Sequence, residues 1–255
     1  MAALIAARKL APHATFGVLS VVPPSSPSER SRRELEDTIG HEARAALIEA
    51  QLQHLFGESP DVWVETCSGD PPAVIASYAE RHGARLLITG IGRVRVIDRL
   101  RGDESTLSLV RLTRTPVLAV AAGSMMPPRR ILVAMDFTPA SVRAAHLALE
   151  LAAPDAEVLV AYVWPQAAPV WPDASMRRVV DALQTGFCGR ITPRVVRGDP
   201  ATELLTLANS WQADVIAIGL HDHARAEHVG IGAVATRVVR CASCSVIVTP
   251  RATTD

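Results

Sequence analysis

The feature that most restricts this chain is an internal repeat. "GDPPAVIASYAERHGARLLITG" at residues 69–90 returns as "GDPATELLTLANSWQADVIAIG" at residues 198–219, and both ends keep one offset of 129 residues (69 to 198, 90 to 219). Each copy reads Gly-Asp-Pro, a helical stretch, then a short apolar strand closed by glycine. Such a repeat means one supersecondary unit used twice, so the fold has to be built from two similar halves. A chain of 255 residues has room for two domains of ordinary size. With 49% hydrophobic and 20% charged residues it belongs with globular chains that bury a core.

The second half carries the fuller pattern. "RRILVAMD" (129–136) is a continuous apolar run, the mark of a strand buried on both faces. "FTPASVRAAHLALELAAPD" follows as a helix that Thr138 or Ser141 caps, with Val142, Ala145, Leu149 and Ala152 on one side. "EVLVAYVWP" and "ITPRVVRG" are the next strands, the second more polar and expected near a sheet edge. A helix from Asp199 to about Gln212 leads to the strand "DVIAIG", and a helix over "GAVATRVVRCA" leads to the closing strand "CSVIVTP". This alternation implies right-handed crossovers and a doubly wound, five-stranded parallel sheet, an α/β fold with strand order 3-2-1-4-5. In the two Gly-Asp-Pro copies, Asp70 and Asp199 are expected at helix N-termini, with Pro71 and Pro200 in the first turns.

The first half repeats the order with "TFGVLSVVP", "DVWVETCSGDP", "RLLITG" and "TPVLAVAAG" as its second to fifth strands. The offset between halves is 142 at the second strand (23 to 165) and 129 from the third onward, so 13 extra residues lie between them. That segment reads as a charged amphipathic helix with a Ser31/Glu34 capping pair and a stripe of Leu35, Ile39, Ala43, Ala46 and Ala50. A counterpart of "RRILVAMD" would fall before residue 1. The first half is therefore expected to lack its central strand, leaving a gap between its second and fourth strands or forcing them to re-pair. The expected domains are 1–122 and 129–250, joined by the short, proline-closed linker "AAGSMMPPRR".

Several function classes are disfavoured. Lys+Arg and Asp+Glu both number 26, so no net field draws the chain to nucleic acid or to an anionic membrane. No apolar run approaches the roughly 20 residues that span a bilayer. Arg8 and Lys9 break the N-terminal apolar run, so it does not read as a secretory signal. Cys67, Cys188, Cys241 and Cys244 form no even framework; thiols in a cytoplasmic protein are the expectation. "HDHARAEH" (221–228) gathers imidazoles and carboxylates, but the parallel topology puts Cys241 and Cys244 at the opposite sheet edge, so a solvated loop without metal is expected there. That cysteine pair reads as packing. "RVRVIDRLRG" (93–102) has four arginines and no interleaved aromatic, which reads as a surface loop. No P-loop and no Gly-x-Ser-x-Gly elbow occurs, which points away from an enzyme.

One family combines these features in this order. "ILVAMD" followed by "TPASVRAAHLALELA", the Gly-Asp-Pro helix start, the glycine ending the fourth strand, and the closing "PVLAV" or "SVIVT" together resemble the universal stress protein family, over almost the full length. The resemblance implies two Rossmann-like domains of the adenine nucleotide alpha hydrolase kind. It also implies a non-catalytic stress-response role, with ATP bound in some members. Closing strands pair between domains in that family, which implies a pseudo-dimer within this chain and a possible homodimer beyond it. The family's phosphate signature is Gly, two residues, Gly, nine residues, Gly, then Ser or Thr. Glycines there let backbone amides approach phosphate, and the next helix aims its N-terminus at it.

Carried onto this sequence, the signature falls on Gly219, Asp222, Gly232 and Ala233, with Asp136 and its neighbour Phe137 at the adenosine end. In the first half it falls on Gly90, Arg93, Asp103 and Glu104, with no strand-one Asp. The missing hydroxyl at Ala233 costs about 0.5–1.5 kcal/mol. A carboxylate at Asp222 about 5 Å from phosphate repels by roughly 3 kcal/mol at an effective dielectric near 20. At about 1.4 kcal/mol per tenfold, Asp222 dominates; Arg225, His221, His223 and His228 in the same loop offset part of it. The expectation is weak ATP binding in the second half and none in the first. The alternatives are an ATP-hydrolysing or ATP-sensing signalling protein, and a nucleotide-free interaction scaffold.

Overall fold

A computed structural model describes residues 2–11, 13–23, 34–57, 62–91, 105–164, 173–220 and 232–250. The first half runs α1 (Ala2–Leu10), β1 (Phe16–Val22), α2 (Glu34–Phe56), β2 (Val62–Ser68), α3 (Pro71–Arg81), β3 (Leu87–Ile91), a helix α4 over residues 105–112, and β4 (Val117–Ala121). The second runs β5 (Arg130–Ala134), α5 (Pro139–Glu150), β6 (Glu157–Trp164), α6 (Asp173–Gln184), β7 (Arg190–Arg197), α7 (Pro200–Trp211), β8 (Val215–Gly219), α8 (Ala233–Cys241) and β9 (Ser245–Thr249). Both Gly-Asp-Pro copies start helices as their chemistry requires. Asp70 and Asp199 are the N-caps of α3 and α7, accepting from Ala73 N at 3.4 Å and Thr202 N at 3.0 Å, and a proline follows each in the first turn.

Seven strands form one sheet in the order β3-β4-β9-β8-β5-β6-β7. Its last five members are the second half in doubly wound order, with β5 between β8 and β6 and the polar β7 at the edge. The pairings are parallel except between β4 and β9, which run antiparallel through Val117↔Val248, Leu118↔Ile247 and Ala119↔Val246. The two closing strands thus join the halves through backbone hydrogen bonds. Ser245 reinforces that seam: its Oγ accepts the Ala121 N–H at 3.1 Å and lies 2.8 Å from Ser124 Oγ. β1 and β2 pair with each other in a separate two-stranded parallel sheet. Among the described residues β1 does not pair with β3, so re-pairing of the second and fourth strands of this half is not seen.

The large sheet lies between two helical layers. Leu204 and Ala208 of α7, Val238 and Val239 of α8, and Leu107 and Val110 of α4 pack with one face of the strands. Ala6 of α1, the alanines 144, 145 and 148 of α5, and Met176 and Leu183 of α6 pack with the other. The inward stripe of α5 is therefore Ser141, Ala144, Ala145 and Ala148, and only Ala145 of the expected set is fully buried. Small residues let the helix lie close to β5, β8 and β9, while Val142 and Leu149 sit at its margins. The stripe of α2 is also corrected. Ala43, Ala46 and Ala50 are exposed, and the inward side runs through Ala45, Ile48, Leu52 and Leu55. Larger side chains win the contact with β2, because burial scales with apolar area. Ser31 and the side chains of Glu34, Leu35 and Ile39 lie outside the described structure. Among the described residues no helix is long and apolar enough to cross a membrane.

Candidate functional site

A cavity of about 380 Å³ opens where β5, β6 and β8 end. This is the crevice at which the winding of an open α/β sheet reverses, between β5 and β8. Its floor is apolar, made by Ala134, Ala161, Val163, Ile218 and Leu204. Asp136 and Thr138 rise on one side, and Gly232 to Ala235, the start of α8, stand on another. Pro200 brings in the first turn of α7, so helix N-termini border the space at three points. Each turns the positive end of a helix dipole toward it, although α5 and α7 begin with proline and carry side-chain caps. The α8 terminus has no side-chain cap, because its N-cap is Gly232.

Local chemistry fixes Asp136. The chain leaves β5 and turns sharply through Phe137, a non-glycine residue at φ 64°. Asp136 Oδ1 accepts from the Thr138 N–H at 3.0 Å and from the Thr138 hydroxyl at 2.6 Å. Thr138 in turn caps α5, its Oγ1 accepting from Ser141 N at 3.3 Å. The carboxylate is therefore held at the mouth of the crevice by the same residue that starts the helix. The Phe137 ring turns toward Tyr162, centroids 5.0 Å apart, and packs with the α5 side of the core; it is not among the cavity-lining residues.

Gly219 lines the cavity, but its lack of a side chain answers a different need. A Cβ there would meet backbone atoms of Ala140 and Ser141, with the Ala140 carbonyl oxygen only 2.6 Å away. The first turn of α5 lies against the end of β8, and only glycine admits that approach. Thr249 Oγ1 donates to the Ala140 carbonyl at 2.9 Å and Arg143 donates to the Pro250 carbonyl at 2.8 Å, which ties the same turn to the end of β9. Gly90, the first-half counterpart, is exposed with nothing within 4 Å of a Cβ.

Four of the six sequence-derived residues, Asp136, Gly219, Gly232 and Ala233, meet at this cavity. Asp222 and the histidine loop lie outside the described residues, as do Arg93, Asp103 and Glu104. Sequence reasoning did not assign Tyr162, Leu204 or Pro200 to the site, although the C-terminal end of a strand beside the switch point was a signal for Tyr162. It also missed a tie between α7 and α8. Arg237 Nη1 lies 2.8 Å from Asp199 Oδ1. Hydrogen bonds from Thr202, helped by Arg237, hold the Asp199 carboxyl below its usual range. Cys244 is buried and its thiol is pushed up to about 11 by desolvation, whereas Cys241 is exposed. The packing role read for the pair thus holds for Cys244 alone. Among the described residues no group of His, Cys, Asp and Glu is placed to hold a metal ion.

The fold and crevice define a tandem α/β protein of the doubly wound class. The model of the universal stress protein family matches residues 2–121, 127–187 and 189–250, and the chain belongs to that family. A universal stress protein from Archaeoglobus fulgidus DSM 4304 is 16% identical over 95% of this chain and 88% of its own, with a TM-score of 0.69. A putative universal stress protein from Pseudomonas aeruginosa UCBPP-PA14 is 18% identical over 93% of this chain and 94% of its own, with a TM-score of 0.64. These likenesses concern the fold. No curated protein matches the chain.

Proposed function

We propose that the second-half cavity binds an adenine nucleotide weakly and that the chain is a non-catalytic stress-response module of two units, 1–122 and 129–250. The observation that carries this reading is the meeting of Asp136, Gly219, Gly232 and Ala233 around one apolar-floored space bordered by helix N-termini. The donor set fits the ligand's chemistry. An apolar floor of Ala134, Ala161, Val163 and Ile218 suits a flat base, Asp136 suits a ribose hydroxyl, and the uncapped amides of α8 suit an anion. The volume stands near the lower end of ligand pockets, roughly 300–1,000 Å³.

The test is nucleotide content and affinity. Protein purified without added ATP is denatured, the released adenine nucleotide per chain is counted, and ATP binding is then titrated calorimetrically. The expected result is sub-stoichiometric nucleotide, with an affinity that falls at least about tenfold in Asp136→Ala, the loss of one charge-assisted hydrogen bond. Unchanged affinity in that variant would refute the site. ATP hydrolysis abolished by the same substitution would favour the signalling enzyme, and no binding at millimolar ATP would favour the scaffold.

A further inference from the structure

The two halves differ at one tie beside the crevice. α7 and α8 pack along each other, and both line the cavity, α7 through Pro200 and Leu204 and α8 through its first turn. Arg237, one turn beyond Ala233 on α8, reaches back to the N-cap of α7 and donates from Nη1 to Asp199 Oδ1 at 2.8 Å. The same oxygen accepts from the Thr202 N–H at 3.0 Å and from the Thr202 hydroxyl at 2.5 Å. One carboxylate therefore starts α7 and holds α8. At the repeat offset of 129 residues, Asp199 corresponds to Asp70, Thr202 to Ala73 and Arg237 to Ser108. The first half keeps the cap, 3.4 Å from Ala73 N, and has neither the threonine hydroxyl nor the guanidinium at these positions.

The tie bears on the cavity through the one terminus left open. α5 and α7 each begin with proline, which has no N–H, and cap a further amide with Thr138 or Asp199. α8 begins at Gly232 and Ala233 with no proline and no side-chain cap, so its first-turn amides are the donors for an anion. It has nine residues, fewer than the roughly 12 an isolated helix needs in water, so its placement depends on its neighbours. Ala235, Val238 and Val239 hold it to the core by apolar burial, which is non-directional. The Arg237–Asp199 bond adds a directional, charge-assisted contact four residues from the open end.

We propose that Arg237 is a positioning residue of the nucleotide site: through Asp199 it sets the α8 N-terminus where its amides meet the ligand's phosphate. The inference rests on the nucleotide reading and divides that site in two, since Arg237 acts on the phosphate end and leaves the nucleoside end untouched. Both side chains of the pair are more than half exposed, so the effect is modest, about two- to fivefold in affinity.

The test is titration of the full chain with ATP and, separately, with adenosine, followed by NMR chemical shifts. The proteins are the wild type, Arg237→Ala, Asp199→Asn and the double variant. Asparagine caps a helix as well as aspartate does, so Asp199→Asn removes the charge and keeps α7. Each single variant is expected to weaken ATP about two- to fivefold and to leave adenosine unchanged, and the double variant to bind ATP no more weakly than Arg237→Ala. Tighter ATP binding in Asp199→Asn would overturn the proposal, because a released Arg237 would then be contacting phosphate itself. Equal losses for ATP and adenosine would overturn it too, since the pair would then support the fold at large. Unchanged ATP affinity in both single variants, with the wild type binding ATP, would overturn it and leave the nucleotide reading standing. A wild-type chain that binds neither ligand would refute the nucleotide reading and this inference with it.

Discussion

Gly219→Ala and Gly90→Ala make the same chemical change at equivalent places in the repeat, and the structure gives them opposite outcomes. The new methyl at 219 would stand 2.6 Å from the Ala140 carbonyl oxygen, about 0.8 Å short of the 3.4 Å at which ordinary contact begins. Its neighbours are backbone atoms of a helix turn held by hydrogen bonds from Thr249 and Arg143, so no side chain can rotate away. The first turn of α5 has to leave β8, an overpacking cost of about 1–3 kcal/mol, toward the upper end here. At 90 the methyl meets open space on an exposed strand position. Alanine there removes the entropy penalty of glycine in a strand and gains about 0.5 kcal/mol. Thermal unfolding followed by circular dichroism reads the difference: a Tm lower by about 5–10 °C for Gly219→Ala and a small rise for Gly90→Ala, at roughly 2–4 °C per kcal/mol for this size. If Gly219→Ala unfolds with wild-type stability and only loses nucleotide, the glycine serves the ligand and the packing argument is wrong.

Three further outcomes follow. Ser245→Ala strips the acceptor from the buried Ala121 N–H at the seam, and urea unfolding should show a loss of about 1–3 kcal/mol. An unchanged midpoint would mean that water replaces the hydroxyl. Alkylation at pH 8, read by mass spectrometry, should label the exposed Cys188 and Cys241 first, Cys67 more slowly because burial and Glu65 raise its pKa, and Cys244 only on unfolding. The folded-state pKa of Cys244 is raised from 9.0 to about 11, so its contribution to stability is complete below pH 9 and is lost as pH climbs toward 11. In Cys244→Ala the decline of stability over that window should be shallower, and an identical slope would place the titration elsewhere.

Much of the fold was legible because strand and helix periods are local properties. Runs such as "ILVA", "VIAIG" and "SVIVT" become strands buried on both faces, and the Gly-Asp-Pro copies cap helices by a three-residue hydrogen bond. What was not legible depended on which neighbour a face meets. Alanine spacing on α2 pointed the wrong way because β2 selects the larger Ile48 and Leu52. On α5 the reverse occurred, since a close-packed turn selects alanines over Val142 and Leu149. Asp136, Gly219, Gly232 and Ala233 could be placed together because each stands at the end of an element bordering one crevice. Leu204, Pro200 and the Arg237–Asp199 tie needed three dimensions, as did the reason for Gly219.

The contrast between the halves reduces to one element. In the second half β5 buries β6 and β8 on either side, provides the floor on which α5 lies close to Gly219, and delivers Asp136 to the crevice. Where no described strand fills that place, two of these features change together: β3 is half-exposed, and Gly90 has nothing within 4 Å of where a Cβ would stand. At the positions of the phosphate signature the first half carries Arg93, Asp103 and Glu104 in place of two glycines and a small hydroxyl residue. Restoring those glycines alone should not create a nucleotide site in the first half. Among the described residues the first half also has no strand between β1 and β3 to form the second side of such a crevice.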